Sequence, residues 1–191
     1  MPVTNTYMAG RKKYTRPQAV CFADSYSISS GFYLPGGDEY TDFLILSDHN
    51  RQEIQVKPQR IENRKRMING TMRSFHVADK QTFQWAYKQF PSRAYSSAPT
   101  FLESGTSTYE SHTVDGGAGG NELLDWYSDH SGSFYMLLAY DLYSELPTPG
   151  LTGLNQYNAV VPVYFSNFDY SVTGRGLDFD LWDISIAVEE Q

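Results

Sequence analysis

Ile61-Glu62-Asn63-Arg64-Lys65-Arg66-Met67-Ile68-Asn69-Gly70-Thr71-Met72-Arg73-Ser74-Phe75-His76-Val77-Ala78 is the stretch whose reading decides the fold. Asn69-Gly70 separates two runs of strand-forming residues. Asn-Gly is the favoured two-residue hairpin turn, because both positions accept positive φ. The register set by that turn pairs Met67 with Met72, Arg66 with Arg73, Arg64 with Phe75 and Asn63 with His76. Asp79-Lys80-Gln81 then reads as a turn. Beyond it Phe83, Trp85 and Tyr87 alternate with Gln84, Ala86 and Lys88, a period of two with one aromatic face.

Working outward, Tyr40 to Leu46 is an apolar run of strand length, preceded by residues 1–39, rich in Ser, Tyr, Gly and Pro. Those 39 residues show little periodicity and are read as an extended N-terminal arm. Downstream, residues 91–120 form a long loop ending in Asp115-Gly116-Gly117-Ala118-Gly119-Gly120. Asn121 reads as the N-cap of a helix over 121–130, with Glu122 and Asp125 in its first turn. Leu123, Leu124, Trp126 and Tyr127 give it an apolar side. Phe134 to Tyr140 is a buried-strand candidate, and residues 144–156 are a Pro/Gly loop. A second hairpin is expected from Ala159–Val172 and Leu177–Val188 across Thr173-Gly174-Arg175-Gly176. In its second strand Asp178, Asp180, Trp182, Ile184 and Ile186 share one face.

Strands with turns and one late helix predict a mainly β protein. The expected fold is an antiparallel β-sandwich or partly open barrel over residues 40–191, with one flanking helix and long loop or arm extensions. The 191-residue length suits one domain. Aromatic residues at 15% lean towards strands rather than helices. The single cysteine, Cys21, rules out an internal disulfide framework and reads as a small buried hydrophobe. Met1 to Tyr7 is polar, so no secretory leader is expected, and no apolar run is long enough for a spanning helix. Sheet edges must be paired, covered or charged, by the arms or by a neighbouring subunit.

The net charge of −7 hides a polarity. Residues 51–93 hold ten Lys and Arg against three acids, whereas residues 94–191 hold fourteen acids against Arg175 alone. Either the two segments neutralise each other within one domain, or a basic head meets a neighbour's acidic tail, a heterologous contact that builds rings or filaments. Arg66 set opposite Arg73, with Arg64 on the same face, would destabilise the hairpin unless something neutralised them. Carboxylates within or between subunits are the expected partners. A nucleic-acid phosphate is less favoured, since a reader of nucleic acid should be basic overall.

Candidate chemistry is sparse. Gly116–Gly120 opens a helix, the geometry that cradles phosphate, but it lacks the Lys and Ser/Thr of a P-loop and reads as a flexible hinge. Ser47-Asp48-His49 has the letters of a triad, yet adjacent residues cannot face one another as nucleophile, base and orienter. Asp178 and Asp180 would need a third ligand to hold a hard cation. His49, His76, His112 and His130 show no ligand spacing. Asn69-Gly70-Thr71 is a glycosylation sequon read as a turn. No catalytic, cofactor-binding or metal residue is assigned, and no enzyme activity or cofactor is expected.

Three stretches resemble tail proteins of long-tailed bacteriophages: Phe43 to Arg51, Arg66 to Lys80, and Phe179-Asp180-Leu181-Trp182-Asp183-Ile184-Ser185-Ile186-Ala187-Val188-Glu189-Glu190. The family is that of tail tube (major tail) proteins, with distal tail and tail-tip ring proteins as close relatives. The resemblance implies a β-sandwich with a flanking helix, assembled as six-membered rings that stack into a tube. It implies a virion structural protein whose partners are its own copies and other tail proteins, with DNA passing transiently, no membrane and no catalytic residues. On this reading acidic residues face a lumen that does not grip DNA, since each phosphate contact would add affinity. Arg64, Arg66, Arg73, Asp178 and Asp180 are the subunit-interface candidates. The alternatives are a tail-tip or baseplate ring, a carbohydrate- or receptor-binding module using Tyr95, Tyr109 and Tyr127, a hydrolase using Asp178, Asp180 and a histidine, and a nucleic-acid-binding hairpin.

Overall fold

The computed structural model describes residues 19–29, 31–94, 112–139 and 157–191. The protein is mainly β and antiparallel. Strands β1 (Val20–Ala23), β4 (Phe43–Ile45), β5 (Gln55–Arg66), β6 (Met72–Pro91), β7 (Phe134–Leu138), β8 (Ala159–Gly174) and β9 (Leu181–Glu190) form one seven-stranded sheet in the order β4-β1-β7-β8-β9-β6-β5. Strands β2 (Tyr26–Ser29) and β3 (Phe32–Pro35) form a separate pair. The sole helix among the described residues, α1 (Gly120–Asp129), closes over the core.

The sheet rolls on itself in sandwich-like fashion, so that its two halves face each other. Phe22 of β1 lies 6.1 Å from Trp85 of β6, ring to ring, although three strands stand between them in the sheet. The space enclosed is filled by Phe22, Phe83, Trp85, Tyr87, Phe134, Met136, Ile184 and Ile186, with Leu123 and Trp126 of α1 above them. A smaller cluster of Cys21, Ala23, Phe43, Ile45, Leu137 and Tyr157 covers the other face of β4-β1-β7. The β2–β3 pair is tied to that side by the Tyr33–Tyr157 bridge. The aromatic alternation of Phe83, Trp85 and Tyr87 is buried as expected, with Gln84 and Lys88 outside.

Several expectations are corrected. Residues 20–35, assigned to an arm, contain three strands, and β1 is buried on both faces. Residues 1–18 and most of the long loop, 95–111, lie outside the described residues, as does the whole of the Pro/Gly loop, 144–156. Asp79-Lys80-Gln81 is not a turn, because β6 runs unbroken through it, pairing Asp79 with Arg60 and Gln81 with Pro58. Those residues are polar because strand, not turn, meets solvent there on both sides. The helix N-cap is Gly119 rather than Asn121. Glu122 does the capping, its carboxylate accepting from the Gly119 N–H at 3.0 Å, and its burial raises its pKa.

The two hairpins differ from expectation in register. In the first, Met67 O accepts from the Gly70 N–H and Thr71 O from the Met67 N–H, leaving a three-residue loop of Ile68, Asn69 and Gly70. Gly70 alone takes a positive φ, +81°, while Asn69 Oδ1 accepts from the Thr71 N–H and hydroxyl. That is a turn followed by a left-handed glycine, the next commonest hairpin connection after the two-residue one. Lys65, not Arg66, therefore faces Arg73, and Arg66 faces Met72. A bulge at Val77 restores the pairing needed further down, Ile61 with Ala78. In the second hairpin β9 begins at Leu181, so Asp178 and Asp180 are in the connection, not on a strand face. Asp180 gives its backbone N–H to the Ser92 hydroxyl and its carbonyl to the Ser92 N–H, which leaves neither for the ladder.

Candidate functional site

The feature that stands out from the packed core is the outer part of β5–β6. Thr82 is the last residue of β6 with a partner on β9, namely Glu189. From there to the tip the backbone ladder joins the two strands only to each other among the described residues, with the Gln81 N–H and the Lys80 ammonium still bonding the Glu190 carboxylate and the Gln191 carbonyl at the root. Met72 to Gln81 adds ten residues, so the ribbon projects by about 35 Å at roughly 3.3–3.4 Å per residue. Nearly every residue of it is exposed, on both faces. An isolated two-stranded ribbon is marginal in water, and this one shows large apolar groups: Ile68 fully exposed, Val77, Phe75 and Met72 more than half.

Residues opposite each other in the ladder share a face. One face continues that of Phe83 and carries Arg60, Glu62, Arg64 and Arg66 with Asp79, His76, Ser74 and Met72. It is partly neutralised: Asp79 pairs with Arg60 and His76, each at 3.0 Å, and Glu62 with Arg64 and the Ser74 hydroxyl. The other face carries Ile61, Asn63 and Lys65 with Ala78, Phe75 and Arg73, a mixture of apolar and cationic groups. Among the described residues no carboxylate pairs with Lys65, Arg66 or Arg73. The like-charge opposition expected for Arg66 and Arg73 is thus carried by Lys65 and Arg73 instead. From Lys57 to Gln81 the ribbon holds seven Lys and Arg against two acids.

The ion pairs set a pH dependence. The Ser74 hydroxyl first, then Arg64, hold the Glu62 carboxyl below the usual carboxylate range, and Arg60 and His76 do the same for Asp79. Both carboxyls titrate lower in the folded ribbon than in an unfolded chain. Their contribution is therefore present above the ordinary carboxylate pKa and lost as pH falls through the lowered values. The pairs are exposed, so the effect stays local. Amide exchange, corrected for its intrinsic pH dependence, is expected to show protection of residues 57–80 falling in acid while that of β7 persists. Equal loss in both would refute a local effect.

The other sequence candidates resolve into structural roles. Ser47 donates to Asp115 at 2.6 Å, the Asp48 and Gly117 N–H groups bond the same carboxylate, and the Ser47 Oγ accepts from the His49 N–H. The His49 ring accepts from the Val114 N–H instead of touching the Ser47 hydroxyl, so no triad is assembled. This network pins residues 113–117 to the end of β4. Gly116–Gly120, expected to be a hinge, is buried throughout and wedged against neighbouring backbone and Trp182. His112 packs at a tilt against Phe179, ring centroids 4.3 Å apart, and His130 stacks on Trp126 at 3.7 Å while bonding Asp24 at 3.0 Å. Tyr127 stacks on Phe168, whereas Tyr95 and Tyr109 lie outside the described residues. Among the described residues no cluster of His, Cys, Asp and Glu could hold a metal, and Asp178 and Asp180 are not brought to one.

Arg64 and Arg66 share one face of the ribbon and Arg73 the other, while Asp178 and Asp180 sit at the far end of β9 from the ribbon's root. The structure does not bring the two groups together within one copy. Sequence reasoning missed Lys65, Ile68, Phe75 and Val77. The signal available was that polar residues fill both alternating sets over Gln59–Arg66 (Gln59, Asn63 and Lys65 on one, Arg60, Glu62, Arg64 and Arg66 on the other), which marks a ribbon with no core beneath it.

No protein-family model matches the chain, and no curated protein matches it. Among solved structures, a chain from the tail of an empty GTA (gene transfer agent) particle, computed with helical refinement in C6 symmetry, is 8% identical. The match covers 91% of each chain at a TM-score of 0.42. No helix among the described residues is long and apolar enough to cross a membrane.

Proposed function

We propose that this chain is a structural subunit of a bacteriophage-type tail, assembling through its β5–β6 ribbon into rings that stack as the tail tube. The observation that carries the reading is the ribbon itself, some 35 Å of paired strand at roughly 3.3–3.4 Å per residue with solvent on both faces. Such a ribbon has exposed apolar groups and unmatched cations, and neither is stable in isolation. Copies of the same chain supply what it lacks: apolar cover and carboxylates. The sequence resemblance to tail tube proteins points the same way. On this reading the rings are six-membered, the particle is a virion tail, DNA passes through without being held, and the subunit has no enzymatic activity. A ring at the tail tip is the second reading, favoured by the same ribbon, since one ring and a stack of rings need the same lateral contacts.

Electron microscopy of the purified protein tests this directly, rings or tubes of even width being expected. Arg66→Glu with Arg73→Glu is expected to stop assembly and leave the monomer folded, because both positions are exposed. Tubes of normal width from that variant would refute the role given to the ribbon.

A further inference from the structure

The ribbon and the β8–β9 connection occupy opposite ends of one strand pair. β6 leaves the sheet at the Thr82–Glu189 end, and the connection, residues 175–180, closes the sheet at the Pro91–Leu181 end. The ten residues of β9 between them span about 30 Å. Because β6 is continuous, its ribbon points away from the connection, so a copy cannot lay its ribbon on its own connection. The ribbon tip presents Lys65, Arg66 and Arg73, without carboxylate partners among the described residues, around the exposed Met67, Ile68 and Met72. The connection presents the complement. Leu177 is fully exposed, Asp178 is exposed with Asp180 two residues on, and Arg175 is its one cation. A depression of about 250 Å³ lies between Leu177, Asp178, Phe179 and Leu181. That is smaller than the roughly 300–1,000 Å³ of small-molecule sites, and it suits a side chain.

We infer that the β8–β9 connection of one copy receives the ribbon tip of a second copy, with Ile68 against Leu177 and Phe179 and the tip cations facing Asp178 and Asp180. The inference rests on the assembly reading above and names the two surfaces that meet. The occupant is a second copy because one chain carries both halves of the match in charge and in apolar character. The contact is heterologous, since the two surfaces differ, and it repeats from copy to copy.

Charge reversal tests it in a mixture. One variant carries Lys65→Glu and Arg73→Glu, the other Asp178→Lys and Asp180→Lys. Each alone is expected to remain monomeric by sedimentation at ten times the concentration at which the unaltered protein assembles. An equimolar mixture is expected to assemble, because reversed tips then meet reversed connections and unaltered tips meet unaltered ones. Asp178→Lys alone, at an exposed position, serves if the Asp180 change disturbs the Ser92 bonds, which thermal unfolding would reveal. A connection variant that folds and assembles at the usual concentration would overturn the docking site and leave the tail reading standing. The same holds if both variants fold and stay monomeric alone yet their equimolar mixture does not assemble. A protein that sediments as a monomer at every concentration, before any substitution, would overturn the tail reading itself.

Discussion

Replacing Phe22 by Ala is expected to destabilise the protein by about 3–5 kcal/mol, the usual cost of emptying a large aromatic site in a packed core. Phe22 is fully buried and sits at the meeting point of the rolled sheet. Its ring lies 4.9 Å from that of Phe134, 5.6 Å from Phe165, 6.1 Å from Trp85 and 6.3 Å from Trp126. Four large rings on three strands and the helix cannot all move inward, so the cavity stays open. For a domain of this size each kcal/mol corresponds to roughly 2–4 °C, which puts the fall in Tm at about 6–20 °C. Ile28→Ala, at a position 67% exposed on β2, is expected to change stability by less than about 0.5 kcal/mol. Urea unfolding of both variants checks the pair. A loss below about 1 kcal/mol at Phe22 would mean that β1 is not part of the core.

The contrast between Phe22 and the ribbon shows what the sequence disclosed. The alternation of Phe83, Trp85 and Tyr87 was legible because a half-buried strand imposes a period of two. The Asn69-Gly70 turn and the run at Phe134 were legible for equally local reasons. Strand β1 was not. It is buried on both faces, Val20 and Phe22 in one cluster and Cys21 and Ala23 in the other, so it shows no alternation. Four such residues inside a Ser- and Tyr-rich stretch leave no periodic trace. Register failed for a different reason. Asn69 spends its side chain on Thr71 and keeps a negative φ, and the bulge at Val77 offsets the ladder by one; neither is encoded in the turn dipeptide itself.

The candidate site was visible as a charge pattern and hidden as a shape. Ten basic residues between 51 and 93 announced a cationic surface, and the ribbon is where seven of them lie. Its projection depends on where β9 stops pairing with β6, a long-range fact. Asp178 and Asp180 were read as strand residues because they continue the alternation of Trp182 and Ile184. Their backbone was claimed instead by Ser92, 88 residues away from Asp180 in the chain.

The glycine run before α1 supplies the second large expected effect, and it separates a packed segment from a hinge. Gly119 has φ −94° and ψ −168°, a conformation any residue adopts, so glycine is not there for backbone freedom. It is there for space. A Cβ at this position would lie 2.5 Å from the Arg93 carbonyl carbon and 2.7 Å from the Ala94 nitrogen. Both are backbone atoms, and no rotamer change relieves the clash. Moving either chain pulls on its neighbours: Asn121 N–H bonds Ser92 O at 2.7 Å, and Glu122 holds both the Gly119 and Ala94 N–H groups. Gly119→Ala should therefore behave as an overpacked site at the severe end of the roughly 1–3 kcal/mol range, or beyond it. α1 and its Trp126 are levered off the core. The expected readings are a Tm lowered by about 6 °C or more and early loss of helix signal in the far-ultraviolet spectrum. Gly132→Ala is the internal control, since a Cβ there meets nothing within 4 Å. A flexible hinge would accept alanine at both positions alike, and equal, small effects would restore that reading against the packed one.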